Sequence, residues 1–482
     1  LEAFMAETTV IRKASWAITW DGDRRLHRYA NDVDVAFSGG DIIHVGGRYQ
    51  GVASREIDGQ GLLVMPGLVN IHSHPCSEPM SKGIMDELGS PRLHNSALYE
   101  FMPLFRADLE GVRAAAQTAY CELLLSGVTS VIDISGAHDG WLDGLAQSGL
   151  RAWAAPMFRS GRWFTRNGFT VEYEWDEAGG RAAMEGALQV VDQAAAHPCG
   201  RLSGVISPGQ VDTCTAQLLR AAHGAARDRG LPFQVHAAQS VVEFQEITRR
   251  HGVTPIQWLG GLGVLGPRTI IGHAIFLDHH PWLHWSSRRD LGLLAETGTT
   301  VAHCPTVFSR RGMMMVHLGA YLDGGVNVGM GTDTYPHNML EEMRHAMIFA
   351  RLAAGQVVAG TSQVFDAATL GGARALGRED IGRLAAGAKA DLVLVDVRHP
   401  MMRPARDPLR SLVYCAAERA VRHVFVDGLQ VVRDGTVLTM DYASAAQALE
   451  EAQARAMKDA PDLDYARRPM ETLSPLTFPR EP

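Results

Sequence analysis

The 482-residue chain has no run of about 18 apolar residues, the length a spanning helix needs, so no membrane segment is expected. Its first residues, LEAFMAETTV, lack the basic segment followed by an apolar stretch that marks a secretory signal. Leu1–Phe4 precede Met5 and read as a cloning remnant. Cysteine is sparse: the 6 present (Cys76, Cys121, Cys199, Cys214, Cys304, Cys415) include no CxxC and no short paired spacing. They read as buried or incidental thiols in a reducing compartment, not as a disulfide framework. Positive charge is also short, with Lys+Arg 45 against Asp+Glu 53 and a net charge of -8. That balance argues against nucleic acid or an anionic membrane as partner. Internal repeats and low-complexity tracts are missing, and no GxGxxG follows an early strand, which disfavours a dinucleotide-binding fold. What remains is a soluble, cytoplasmic chain of globular composition, 46% hydrophobic and 20% charged. At about 150 residues per domain its length admits three domains, or one large barrel with satellites.

The texture changes along the chain. Residues 5–64 are rich in short β patterns, TTVIRKASWAITW and then NDVDVAFSGGDIIHVGG, with Gly39-Gly40 and Gly46-Gly47 marking turns. Over 65–383 short β-branched runs alternate with Ala/Leu-rich amphipathic stretches, the pattern of repeated βα units. Strands are expected over 64–72, 128–134, 150–157, 202–207, 232–236, 269–273, 300–303 and 326–331. Helices are expected between them, for example over 108–125, 180–196, 215–229 and 339–354. Eight such units fit an α/β fold, a (β/α)₈ barrel. Insertions over 76–102 and 159–176 follow strands one and three and should sit at the catalytic face, as lids or subunit contacts. The β texture returns over 384–440, so the two β-rich ends are expected to pair into one composite domain. Residues 441–482 hold a helix (442–457) and a Pro-rich tail expected to pack on a neighbour or fray.

The chemistry gathers at strand ends. His72 and His74 form a His-x-His at the end of strand one, and residues i and i+2 of a strand share a face, so both imidazoles can address one ion. His236 ends strand five, His273 strand six and His303 strand seven, and Asp333 follows strand eight. Their intervals are close to the roughly 30 residues of one βα unit of a barrel. Four consecutive strands therefore deliver a ligand-type or titratable side chain to the same end. Zinc and related divalent ions accept imidazole readily, with carboxylate completing the set.

These segments (VMPGLVNIHSH, HAAQ, GHA, HCP, GTD and the late IGRLAAGAKADLVLVD) also resemble the metal-dependent amidohydrolase superfamily. The nearest branch is that of cytosine and guanine deaminases and triazine hydrolases, and the likeness covers residues 7–440. It implies a distorted barrel with a small β-sandwich built from both chain ends. It also implies one divalent metal ion per subunit, zinc or iron as a rule, held by His72, His74, His236 and Asp333, with His273 on the hydrolytic water or the metal. Zinc is the first expectation; ligand type alone also admits iron, cobalt or manganese. Strand four ends LSGVISPGQ with no lysine to bridge two metals, which favours a single-ion site. Similar proteins form dimers or larger assemblies, so a homo-oligomer acting on a small molecule is expected.

In this reading the ion lowers the pKa of its water toward about 7. Asp333 takes the proton and later passes it to the leaving group, His273 orients the nucleophile and His303 hydrogen-bonds the substrate. The informative departure is Gln239. Related deaminases carry HxxE after strand five, whereas this chain reads His236-Ala-Ala-Gln239, and an amide cannot transfer a proton near neutrality. Glu243, one helical turn later, is the one candidate to substitute for that glutamate, but its stronger reading is a solvated helix residue. For substrate contact, Arg310 and Arg311 can pair with a carboxylate, and Trp163, Phe164, Phe169, Phe308 and Met313–Met315 can line an apolar pocket. Thr334, Tyr335, His337 and Asn338 should lie close to it. The expected activity is hydrolysis at an electrophilic carbon of a small N-containing heteroaromatic molecule, cleaving a C–N bond. An amide, urea or carbamate hydrolase is the alternative, and a catalytically weak binding protein the third reading.

Overall fold

The computed structural model describes residues 7–316 and 318–479; Leu1–Phe4 lie outside them. Eight parallel strands form the central barrel: β1 (Leu68–Ser73), β2 (Val128–Ser135), β3 (Arg151–Phe158), β4 (Leu202–Gly204), β5 (Phe233–Ala237), β6 (Thr269–His273), β7 (Thr300–His303) and β8 (Asn327–Met330). Nearly every residue in them is buried, as strands covered on both faces require. Strands β1–β4 and β5–β8 each form a continuous parallel ladder. Single parallel bridges close the ring, Ile206 to Phe233 and Gln210 to His236 on one side and Ser73 to Asp333 on the other. The barrel is thus distorted at two seams.

Helices cover the outside. They include α1 (Leu109–Leu125), α2 (Val241–His251) and α3 (Met339–Ala354), begun by the side-chain caps Asp108, Ser240 and Asn338. The eight expected strands all lie on observed ones. The first differs in detail, because the run beginning at residue 64 is two strands. Leu62–Pro66 pairs with Leu392–Asp396, and β1 starts only after Gly67. A Cβ on Gly67 would lie 2.0 Å from Thr129 Oγ1, so glycine lets the chain pass from one sheet to the other.

The two chain ends form a sandwich. A four-stranded sheet from Thr8–Ala14, Val33–Ser38, Asp41–Gly46 and Arg55–Asp58 faces a seven-stranded sheet that mixes N- and C-terminal strands. Alternation assigns each residue of the shared strands: Leu62, Val64, Leu392 and Leu394 fill the sandwich core, while Leu63, Met65, Val393 and Val395 pack on the barrel helices. Arg151 of β3 adds a buried clamp, donating to Asp391 (2.9 and 3.1 Å) and Asp427 (2.8 Å) of the sandwich.

The insertions rise from one end of the barrel. Residues 76–105 carry three short 3₁₀ turns, and Gly161–Thr165 with Val171–Trp175 makes a hairpin. The C-terminal helix α4 (Tyr442–Leu463) runs beyond its expected end and braces the first insertion, Gln453 donating to the Met80 and Lys82 carbonyls at 2.7 and 2.8 Å. The tail packs on this same chain: Leu473 is buried with Ile84, Met85 and Phe101, and Ser474 donates to the Ile84 carbonyl. Among the described residues no helix is long and apolar enough to cross a membrane.

Candidate active site

The C-terminal ends of the barrel strands open into a cavity of about 640 Å³. His72, His74, His236, His273 and Asp333 meet at its floor. His72 Nε2 and His74 Nε2 lie 3.4 and 3.2 Å from Asp333 Oδ1, and His74 Nε2 lies 3.2 Å from His236 Nε2. His273 Nε2 stands farther off, 4.0 Å from Asp333 Oδ2, with the Phe308 ring against it at 4.6 Å. Backbone carbonyls fix two tautomers: His74 Nδ1 donates to Ile134 at 2.8 Å and His236 Nδ1 donates to Gly209 at 2.7 Å. In the neutral form of both rings the two Nε2 atoms present bare lone pairs to each other, an arrangement that suits a cation between them. His72 is buttressed by Gln234, whose amide nitrogen sits 2.9 Å from Nδ1, and its Nε2 is buried without a hydrogen-bond partner.

The donor set fits a metal. A tetrahedron with arms of about 2.1 Å has edges of about 3.4 Å, the scale of these donor separations. Two overlapping groups meet the ligand spacing, His72–His74–His236 and His72–His273–Asp333. Glycines leave the room: a Cβ on Gly272 would come within 2.8 Å of His72 Cε1, and one on Gly331 within 2.6 Å of His72 Cβ. Backbone strain collects here too, with His273 at φ 98, Ala274 at φ 48, Ala238 at φ 55 and Asp333 at φ 57. Burial lowers the pKa of His72, His236 and His273, keeping them neutral. Burial opposes ionisation of Asp333, but His273, His72 and His74 outweigh it and hold the carboxyl well below its usual range. Burial opposes protonation of His74 as well, but its hydrogen bond with Asp333 and that group's charge outweigh it and raise the His74 pKa, so ligation requires His74 to give up a proton that the other three imidazoles do not hold.

The remaining residues divide between cavity and scaffold. Gln239, Trp163, Phe308, Met313 and Arg311 line the cavity. Arg311 spends its donors on the Leu88, Val307 and Met85 carbonyls, so it ties the first insertion to the loop after β7. Arg310 lies off the cavity wall, stacked at 4.4 Å on Tyr335 and 3.7 Å from Asp86. His337 is fully buried away from the cavity, its Nδ1 3.6 Å from Glu122. His303 borders a smaller apolar pocket behind Phe308, with Ile275 and Met315. Phe169 is exposed at the hairpin tip. Glu243 corrects the reading of a solvated helix residue. It is fully buried, because its carboxylate accepts the Ala238 and Gln239 backbone amides at 2.5 and 3.4 Å where the chain leaves β5.

One carboxylate in the cavity escaped the sequence reading. Glu78 lies four residues beyond His74, accepts the Thr334 hydroxyl at 2.7 Å and lines the cavity. Burial and the charge of Asp333 raise its pKa. No spacing rule marks it, since it projects from an insertion; the one available signal was an acid lying within an insertion directly after the His-x-His.

A parallel barrel that gathers four imidazoles and a carboxylate at its C-terminal face has the architecture of a metal-assisted hydrolase. The amidohydrolase family model matches residues 63–431, and the chain belongs to that family and is a hydrolase acting on C–N bonds. It is 32% identical to the 5-methylthioadenosine/S-adenosylhomocysteine deaminase of Natronomonas pharaonis, over 83% of this chain and 88% of that one. It is 29% identical to the 5'-deoxyadenosine deaminase of Methanothermobacter thermautotrophicus, over 84% and 90% of the two chains. Among solved structures it is similar in fold to a zinc-bound adenosine deaminase from Xanthomonas campestris, with a TM-score of 0.78, 23% identity and coverage of 93% and 98%. An atrazine chlorohydrolase from Arthrobacter aurescens TC1 complexed with zinc superposes with a TM-score of 0.75, at 22% identity over 92% and 100%.

Proposed function

We propose that the protein is a single-metal aminohydrolase that removes an amino group from a small N-heteroaromatic or nucleoside-like molecule. The observation that carries this reading is the convergence of His72, His74, His236 and Asp333 at donor separations suited to one ion. These four would hold a divalent ion, zinc first, with His273 beside it. When bound, such an ion supplies a water of lowered pKa, toward about 7, and polarises the reacting centre. Asp333 receives the proton of the attacking water, and His273 orients the nucleophile. A C–O bond forms at the ring carbon, the C–N bond breaks, and the nitrogen departs as ammonia once protonated. Gln239 cannot supply that proton. Glu78, facing the cavity with its raised pKa, is the group placed to carry it. Residues 65–383 would carry the chemistry, and 5–64 with 384–440 and 441–482 would support it. The relatives named for methylthioadenosine, S-adenosylhomocysteine and deoxyadenosine make an adenine-type ring the first substrate to try.

Gln239 also favours a second reading, hydrolysis of an amide, urea or carbamate, where no ring nitrogen needs a proton. Elemental analysis of the purified protein, with product assays before and after chelation, tests both. About one equivalent of metal per chain is expected, with activity lost on chelation and restored on refilling. Ammonia from the aminated rings supports the first reading; amine or carbon dioxide supports the second. Failure to bind any metal on reconstitution overturns both.

A further inference from the structure

The cavity is not walled evenly. Toward the two insertions at its rim it is broad, lined by Leu98, Met102, Met157 and Trp163, whereas toward β6 and β7 its wall is the Phe308 ring, flanked by Val307 and Met313. That ring stands edge-on to the His273 imidazole, with 4.6 Å between centroids and 69° between planes. Phe308 also borders the smaller pocket, whose walls include Ile275, Met315, Leu318, Ala346 and Phe349. Among the described residues it is the one side chain that the two spaces share. The pocket behind it has about 10 Å³, room for about one water. The backbone that carries the ring is pinned. Phe308 lies in the short helix Pro305–Ser309, where Glu342 of α3 accepts the Thr306 amide at 3.1 Å. The Phe308 carbonyl accepts the Arg311 and Met313 amides at 3.0 and 3.1 Å. Phe308 is 7% exposed, so its phenyl group is a fixed partition rather than a surface side chain.

We infer that Phe308 sets the size limit at the reacting end of the substrate, admitting an unsubstituted amino group and refusing an alkylated one. The inference rests on the proposed function for the orientation of the substrate. Its reacting carbon lies over the metal-binding residues beside His273, and the rest of the molecule extends toward the insertions, where the cavity is broad. An alkyl group carried on the reacting nitrogen toward β6 and β7 then meets the phenyl ring. The ring cannot retreat, because the space behind it is no larger than about one water. A well-packed wall yields little, so added methylenes there are refused by steric overlap. Truncating the ring would join the two spaces. The recess left behind would have the size of the lost phenyl group and a mainly apolar lining, including Met315 and Ala346, the kind of recess that takes an apolar ligand of matching size.

The test has two arms, both on metal-loaded protein with the metal content of each variant measured alongside. In the first, fluorobenzene is titrated and its fluorine NMR resonance followed. Phe308→Ala is expected to bind it about tenfold or more tightly than the native chain, and Phe308→Leu, which keeps most of the wall, to gain less. Adding Ala346→Phe to Phe308→Ala refills the recess and should abolish the gain. Equal binding by the native and Phe308→Ala chains, or a gain that survives Ala346→Phe, overturns the partition. In the second arm, release of ammonia or propylamine is measured from adenosine and from adenosine propylated on its amino nitrogen. The native chain should favour adenosine by about a hundredfold or more in kcat/KM. Phe308→Ala should narrow that ratio by about tenfold or more, with Phe308→Leu between the two. Equal turnover of both compounds by the native chain, or a ratio unchanged in both variants with the fluorobenzene gain intact, overturns the size limit. No ammonia or amine from either compound in any chain, with the gain intact, overturns the aminohydrolase reading and the size limit with it, while the partition stands.

Discussion

The floor and the rim of this cavity are built by different means. The floor belongs to the barrel: its side chains leave the ends of β1, β5 and β6 and the turn after β8, and neighbouring strands fix their spacing. The rim belongs to two insertions fastened by side chains. Lys82 pairs with Glu122, Tyr173 donates to Asp212 at 2.7 Å, and Arg468 pairs with Glu100 at 2.9 Å. A rigid floor suits chemistry that tolerates little displacement, and a fastened rim can change substrate without disturbing that chemistry. Damage to the two should therefore read out differently.

The largest effect is expected at the floor. Asp333→Ala and His74→Ala should each lower turnover by about a thousandfold or more, with bound metal falling in parallel. Elemental analysis and kcat on the same preparations check it; full activity in both variants without metal would sink the proposed chemistry. Glu78→Gln comes next, at the junction of floor and rim. It should retain its metal yet lose about 10²–10⁴-fold in kcat, the range of a positioned proton donor. Unchanged kcat with full metal would leave Glu78 a structural partner of Thr334.

A rim fastening offers the third comparison. Burial raises the Glu122 pKa, but His337 and Lys82 prevail and lower it from 4.5 to about 2. A depressed carboxylate pKa stabilises the fold above its unfolded value, and that contribution vanishes as pH falls from about 5 toward 2. The shift corresponds to roughly 3 kcal/mol. Urea midpoints measured across that range should fall steeply in the native chain and less so in Glu122→Gln. Equal slopes would show that this ion pair contributes nothing to the rim's attachment.

The contrast also explains what could be read in the sequence. The eight strands and the His/Asp set were legible because burial imposes β-branched runs and because the βα unit repeats at nearly constant length. Gly67 hid the passage from sandwich to barrel, since the residues on either side are equally apolar and only a close approach to Thr129 separates them. At the rim no period exists. Arg310 and Arg311 were visible as charges after strand seven, but their absorption by carbonyls, Tyr335 and Asp86 depends on how the first insertion folds back. Glu243 shows the same limit: its helical spacing suggested solvent, whereas the left-handed turn at Ala238 aims two backbone amides at its carboxylate.

Gln239 carries the smallest predicted effect and the finest distinction. It lines the cavity from the β5 side, whereas Glu78 enters from the insertion after β1. Gln239→Glu would place a second carboxyl beside the buried Glu243, and like charge with burial would hold that new group partly protonated near neutrality. Ammonia release from aminated azaheterocycles should then rise by about tenfold, the lower part of a general-acid contribution. No change would mean that position 239 has no access to the leaving nitrogen. Adding Glu78→Gln turns this into a cycle. If both positions reach the same nitrogen, Gln239→Glu should recover part of the loss caused by Glu78→Gln. If the two losses and gains simply add, the two carboxyl positions address different protons, and the floor has a second proton path that the rim does not control.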